Sequence, residues 1–480
     1  MMEENKFYIR ILMPVHIGCD EVYDPTGFIL NENTNTLTVF EPIDFFKSLD
    51  AHTKSIYATI CGKGTLESIL ELYKFMRGKR FEGRHISVSK GLVAQYKKTL
   101  EIRMNDRKKI QQELNNFSIS RTAFNPTTQE PYIPGSAVKG ALRTSYLNHL
   151  ATSRRIAYDL RDKKAGDILE KGLLDYQKLE NDPFRLLKVS DFHPVGPCKT
   201  RIVYAVNAKK VSSKFKAHGP YQILEIIEPG AVFTGTVRVL EPLARDIIKT
   251  PLSEKAIFES AAAFYEKEKA RENLELKEVG LPVYNVGTES SICCLRLGRH
   301  SGAESVTIEG HRNIKIMKKR GERPDHSDKA TTFWLSADVS DSSHASELKP
   351  FGWASLGIMT ESFQNKLEEM NQPQEYVEAI VAPTNRQKEA GPVEVVKPVE
   401  ETWDNVFVSY NAGGGGVVEA TTKEGKKARL TGKEKAMAMV AEALHKKLFD
   451  GKKKIDKAHV TVKKVGNSYE IIKIERQTSC

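Results

Sequence analysis

Apolar residues recur at every second position from Phe7 to Ile17. Phe7, Ile9, Ile11, Met13, Val15 and Ile17 fall on one face of an extended chain, with Tyr8, Arg10 and His16 on the other. This period predicts a strand with one buried face. "GFILNENTNTLTVF" then reads as a hairpin with a polar, Asn-rich turn. Residues 42–120 carry mostly helical spacing, interrupted by the basic, aromatic piece "YKFMRGKRFEGRHISVSKG". A Pro-Gly turn at "PYIPGSAVKGALRTSY" opens a helix running to about residue 152. "FRLLKVSDFHPV", "KTRIVYAVNAKKV", "YQILEIIEPG" and "AVFTGTVRVL" are strand-like.

Residues 252–278 form a long Ala/Glu/Lys-rich helix, and "SSICCLRLGRHSG" is a strand ending in a Gly-bounded basic turn. A long polar, basic loop or ribbon, "IEGHRNIKIMKKRGERPDHSDKAT", precedes the closing strands "TTFWLS" and "GWASLGIMTE". Residues 382–402 are rich in Pro, Glu and Lys without an apolar period, which predicts an extended linker. Beyond it come a hairpin, a helix with Met437, Val440, Ala441 and Leu444 on one face, and a second hairpin turning at "VGNS". The tail therefore reads as a ββαββ module.

The pieces alternate without a regular βαβ rhythm. The expected class is α+β: two ferredoxin-like (RRM-like) units with antiparallel sheets and helical or loop insertions, plus the small C-terminal module. The first unit is expected across 1–245 with a helical insertion, the second across 246–381, the linker at 382–402 and the module at 403–480.

The length of 480 residues suits two or three domains, and 40% apolar with 28% charged residues suits a globular chain. No apolar run approaches a membrane span, and the N-terminus lacks a basic region followed by an apolar one. The six cysteines form no C-x-x-C pair, and the histidines show no H-E-x-x-H. No metal site and no cofactor is expected, and a reducing, cytoplasmic setting fits. The net charge is +11. Residues 421–480 hold 16 Lys/Arg against 7 Asp/Glu, so most of the excess sits in the tail. Such a balance points to a polyanionic partner, nucleic acid above all.

The helix opening at Gly135 poses a puzzle. Lys139 and Arg143 lie four apart in its first turns, where the helix dipole favours acidic residues. Gly135 lets backbone approach a ligand, Ser136 can cap the helix, and the first free N–H groups point outward. Together these features make an anion site; the alternative is a solvated Lys/Arg face behind an ordinary turn. If the cations serve a ligand, replacing both should leave the free protein no less stable. The spacing excludes a Walker phosphate loop.

"YIPGSAVKGALRTS" resembles the I-P-G-S-S-x-K-G-x-x-R signature of the RAMP superfamily, the repeat-associated RNA-binding proteins of CRISPR systems. "VHIGCDE" is similar to the family's first-strand H-I-G motif, "DPFRLLKVSDF" to its D-P-F-R…S-D segment and "EPGAVFTG" to its P-G-x-x-F-x-G segment. "LRLGRHSG" and "PFGWASLG" resemble its later glycine and G-W elements. The order of motifs most resembles the Csm-type subunit that caps the guide-RNA 3′ end in type III-A effector complexes. The likeness spans roughly residues 5–360, and the tail has no place in the pattern.

The resemblance implies a guide-RNA-binding subunit that helps recognise target RNA in antiviral defence. Its partners would be the guide (crRNA), the target RNA and the other subunits. It implies that Gly135, Ser136, Lys139 and Arg143 hold phosphates. His16 and Gly18 would lie beside the same groove, and Arg296, Arg299 and His300 would add contacts. A hydrogen-bonded strand-end histidine is the alternative for His16, and a solvated turn the alternative for Arg299 and His300.

The backbone subunits of these complexes cut RNA with an aspartate after the H-I-G strand. Asp20 and Asp24 match no such loop, so no catalytic residue is assigned. Asp325, His326 and Asp328 form one short acidic cluster, read as loop chemistry. The alternative function is an endoribonuclease that processes precursor guide RNA, with a histidine such as His16 as general base.

Overall fold

The computed structural model describes residues 6–156, 164–211, 217, 219–242, 247–284, 291–318, 321–345, 347–371, 400–411, 417–423, 426–431, 433–451, 454–465 and 468–476. The chain divides into two compact units, Met1–Glu375 and Tyr376–Cys480. The linker expected at 382–402 lies outside the described residues as far as 399, and the glycine run at 413–416 lies outside them too.

The first unit is α+β, built around two sheets. One is antiparallel along its main path, in the order Cys293–Arg296, Trp353–Ile358, Lys6–Ile11, Val232–Val239, Leu187–Val189. Its apolar face carries Phe7, Ile9 and Ile11 against Val138 and Leu142 of helix Gly135–Ser153 and Ala261, Phe264 and Tyr265 of helix Glu254–Glu278. The alternation from Phe7 to Ile17 is thus a core face, but it crosses a change of sheet. Strand Lys6–Ile11 ends before Pro14, and Gly18–Val22 joins the second sheet. Tyr8, on the opposite face, is buried as well, stacked on Phe363 at 4.1 Å.

The second sheet runs Gly18–Val22, Ile119–Thr122, Gln222–Ile227, Thr200–Lys209, Arg84–Val88, Thr36–Val39, Phe28–Asn31. Two of its pairings are parallel, Ile119–Thr122 with Gln222–Ile227 and Arg84–Val88 with Thr200–Lys209. Strand Thr332–Ala337 pairs with the far end of Thr200–Lys209. Helix Lys90–Leu100 covers this sheet, with Leu92 and Tyr96 packed among Ile86, Ile202 and Tyr204. Asp50, Thr65, Ser89, Asp106 and Ser253 cap their helices by accepting N–H bonds of the first turn, as the sequence chemistry favours.

The boundary expected at residue 245 does not separate two bodies. Trp353–Ile358 lies beside Lys6–Ile11, and Thr332–Ala337 beside Thr200–Lys209, so each sheet draws on both halves. The basic ribbon contains one short hairpin, Ile314–Ile316 with Asp325–Ser327.

The second unit differs from ββαββ. Three strands precede its helices, because Lys427–Thr431 is a strand of its own rather than part of a two-stranded hairpin. Glu400–Asn411, Val417–Thr421, Lys427–Thr431, Ser468–Arg476 and Ile455–Val465 close into a barrel in that order. Val406, Val408, Val418, Ala420, Leu430, Val460 and Ile474 fill it. Leu444 packs into that core as expected, while Met437 is exposed.

Candidate nucleic-acid interface

Three of the quoted motifs interlock through their backbones. Gly352 N–H donates to Pro14 O at 2.8 Å, Leu297 N–H to Gly352 O at 2.8 Å, and Arg299 N–H to His16 O at 2.8 Å. Gly298 allows the closest of these approaches. Its φ is +80°, and a Cβ there would meet His16 O at 2.3 Å. The turn from Gly298 to Gly302 is thereby fixed against the H-I-G segment, with Ser301 Oγ donating to Leu297 O and Gly298 O.

The interlock sorts the cations. Arg299 stands 52% exposed, its side chain crossing Gly18 and its guanidinium 3.2 Å from Asp20 Oδ1. Arg296 is only 4% exposed. Its Nε donates to Phe351 O at 2.9 Å, Nη1 lies 2.5 Å from Glu272, and the guanidinium sits 4.8 Å over Trp353. Arg296 is therefore an internal ion pair rather than an exposed contact, although it lines the cavity beside this turn. It belongs to a buried ionic cluster with Glu268, Glu272, Arg271 and Arg312 that seats the turn on helix Glu254–Glu278.

His16 is likewise corrected. Its ring is 1% exposed and bonds through Nδ1 to Glu225 O at 2.7 Å, so it is the hydrogen-bonded histidine and not a contact residue. Burial lowers its pKa, with the Arg299 charge acting the same way. A buried ring offers no accessible general base. Asp24 is a turn former, its Oδ1 accepting from Thr26 N–H at 2.8 Å. His300 is half-buried, with Nε2 3.2 Å from Gln222 Oε1 and its ring 4.5 Å from that of Trp334. Burial, then the charges of His16 and Arg299, push its pKa down to about 4. Beside this turn a cavity of about 420 Å³ is lined by Lys210, His300, Glu304, Ile316 and Trp334.

Two backbone steps lead from the H-I-G segment toward the helix signature. Ala123 N–H donates to Ile17 O at 2.7 Å and Tyr132 N–H to Ala123 O at 3.1 Å. There the structure answers the puzzle of the misplaced cations. Gly135 N–H donates at 2.8 Å to Asp191, which brings a carboxylate to the helix N-terminus from 56 residues away. Gly135 is required by packing, since a Cβ would meet Val189 O at 2.4 Å; it does not open the backbone to a ligand. Ser136 lies inside the first turn, exposed, and makes no cap bond.

Arg143 is held by Glu170, by Asp182 at 2.9 Å, and 4.7 Å over the Phe184 ring. Burial works against its charge, but the two carboxylates outweigh it and raise the pKa. It is an internal ion pair, and the expectation that its loss is harmless to stability falls with it. Lys139 is freer. Nζ donates to Leu187 O at 2.8 Å, leaving two of its three donors, while burial and then the Lys188 charge lower its pKa.

Exposed Lys188 is a residue the motif reading passed over, although alternation with Leu187 and Val189 turns it outward. Arg121, 3.2 Å over Phe124, gave no signal in the sequence. In "YKFMRGKRFEGRH" three of the side chains serve the fold. Arg77 pairs with Glu32, Arg84 with Glu225, and Phe81 packs on Phe40 and Phe45. Asp325 pairs with Lys318 at 3.4 Å, and among the described residues no group of three His, Cys, Asp or Glu gathers as a metal site would require. No described helix is long and apolar enough to cross a membrane.

Among solved structures, the chain is similar to one in the cryo-EM structure of a Csm-crRNA-target RNA ternary complex of a type III-A CRISPR-Cas system. That similarity has 18% identity and a TM-score of 0.45, covering 74% of this chain and 99% of that one. It is also similar to the crystal structure of T. onnurineus Csm5, with 18% identity and a TM-score of 0.41, covering 72% and 99%. No curated protein matches it. A model of the RAMP superfamily matches residues 8–284, more than half of the sequence, and the chain belongs to that superfamily.

Proposed function

We propose that the protein is a non-catalytic guide-RNA-binding subunit of a type III-A CRISPR effector complex, working in the cytoplasm. In this reading it holds the 3′ part of the guide and helps the complex recognise target RNA in antiviral defence. Its partners are the guide, the target RNA and the neighbouring subunits. The observation that carries the reading is the interlock of residues 14–18, 297–302 and 352 in a RAMP-superfamily chain. It presents Arg299 across Gly18 on a backbone that cannot shift without breaking three hydrogen bonds. Arg299, Lys139, Lys188 and Ser136 are the residues that meet phosphates. The cavity beside His300 and Trp334 suits an unstacked base. We read the first sheet, with helices Gly135–Ser153 and Glu254–Glu278 on one face, as a ferredoxin-like unit.

The test is a pair of measurements on purified protein. Incubation with repeat RNA, with and without EDTA, should leave the RNA intact. Affinity for single-stranded RNA should fall with salt. Arg299→Ala with Lys188→Ala should flatten the dependence by about 0.7 in log–log slope for each phosphate left without its cation. Cleaved repeat RNA would instead support the processing enzyme.

A further inference from the structure

We propose that the barrel of residues 400–476 is a second, separate binding site, for single-stranded nucleic acid, on the outer face of its first three strands. The closure order supports this. Counted along the barrel, the strands run first, second, third, fifth, fourth; the third and fifth are parallel, and the fourth pairs back to the first. The helices fall between the third and fourth strands. This is the Greek-key arrangement of the OB-fold, whose second and third strands form an oligonucleotide-binding face. The RAMP match ends at residue 284, so the inference does not rest on the function proposed above.

The side chains on that face suit such a ligand. Alternation sends Val406, Val408, Val418, Ala420, Ala428 and Leu430 inward. Outside, Phe407, Thr421 and Lys427 form one row across the three strands, and Ser409, Glu419 and Arg429 the next. Phe407 is 43% exposed between two fully buried valines, a ring that the core does not use. Lys423 and Lys426, both exposed, stand at the turn beside it, where Thr422 N–H donates to Lys426 O at 3.0 Å. An aromatic platform ringed by cations is what single strands require: a base stacks, and its flanking phosphates meet lysines. A duplex keeps its bases stacked inside and cannot use the ring. Glu419 lies 3.4 Å from Lys427 and 3.6 Å from Arg429. Lys427 and Arg429 are exposed while Glu419 is half-buried, so the cations keep free donors toward solvent with which to meet a phosphate. Residues 400–480 carry 16 Lys/Arg against 11 Asp/Glu, which favours a polyanion.

The experiment uses the full chain carrying Arg299→Ala, so that the first unit contributes less. The probe is a labelled ten-nucleotide oligouridylate with one 5-iodouridine. Irradiation followed by peptide mapping should place the adduct within residues 400–431. By anisotropy, Phe407→Ala should weaken binding roughly 5- to 150-fold, the range that loss of one stacked base implies, and Phe407→Tyr should restore it. Lys427→Ala with Arg429→Ala should flatten the log–log salt slope by about 1.4. An adduct confined to residues 1–375 would overturn the proposal. So would unchanged affinity in Phe407→Ala, a Phe407→Tyr variant as weak as the alanine, or equal binding of a duplex or of polyglutamate at this face.

Discussion

Arg296 and Arg299 stand three positions apart in one motif and look alike in the sequence, yet one is buried on Glu272 and the other spans Gly18 at the surface. Spacing locates such a motif, but the carboxylate that claims Arg296 comes from helix Glu254–Glu278 and cannot be seen locally. The same holds for Arg143, which waits on Glu170 and Asp182. Arg143→Ala leaves the buried Asp182 without its cation, holding only the Phe184 N–H, so stability should fall by on the order of 2–3 kcal/mol, read from a denaturant melt. Lys139→Ala breaks no ion pair and leaves one buried carbonyl, Leu187 O, without this donor, so it should cost about 1 kcal/mol, less than the loss of Arg143. His300 makes a pH prediction. Its folded pKa of about 4 lies below the unfolded value, so the unfolded chain binds more protons between them. The stability from the neutral ring is fully present above pH ~6.5 and is lost as pH falls toward ~4. His300→Gln should flatten the slope of stability against pH in that window by up to about one proton. An unchanged slope would mean that the ring titrates normally.

At the scale of elements, the sequence is most informative where local chemistry decides. Alternation in Lys6–Ile11 is read directly and is found in place, and the caps at Ser89 and Ser253 are equally local in their chemistry. Helix Gly135–Ser153 is the instructive exception. It begins at the expected Pro-Gly turn, but its cap is Asp191, reached only once Ile133 pairs with Phe192. Asp191→Ala should therefore destabilise the protein by about 1 kcal/mol, as loss of an ordinary N-cap does. Gly135→Ala should cost about 1–3 kcal/mol by pressing a methyl group on Val189 O and Ser190 O. Thermal melts of both variants check this. Equal stability in Gly135→Ala would return that glycine to a ligand-binding role. The barrel's strand count was missed for a related reason: "NVFVSYNAGGGGVVEATT" with "KKARL" reads as one two-stranded hairpin, whereas Glu400–Asn411 and Val417–Thr421 are separate strands and Lys427–Thr431 a third, flanked by Val417–Thr421 and Ser468–Arg476.

At the scale of the whole molecule, class and motif order were legible, whereas the division at residue 245 was not. Chain distance says nothing of Trp353–Ile358 returning to lie against Lys6–Ile11. A fragment of residues 1–245 lacks that strand and helix Glu254–Glu278, so it should fail to show a cooperative melt, while residues 1–371 should melt as one body. The central claim, that this RAMP-superfamily chain carries guide RNA, is tested most directly by isolating the tagged protein from its host and sequencing the RNA that accompanies it. Guide RNAs of common repeat origin are expected, bound to this chain near their 3′ ends and depleted when Arg299 and Lys188 are both alanine. Recovery of no guide RNA, or of guides in equal amount with the double variant, would contradict it.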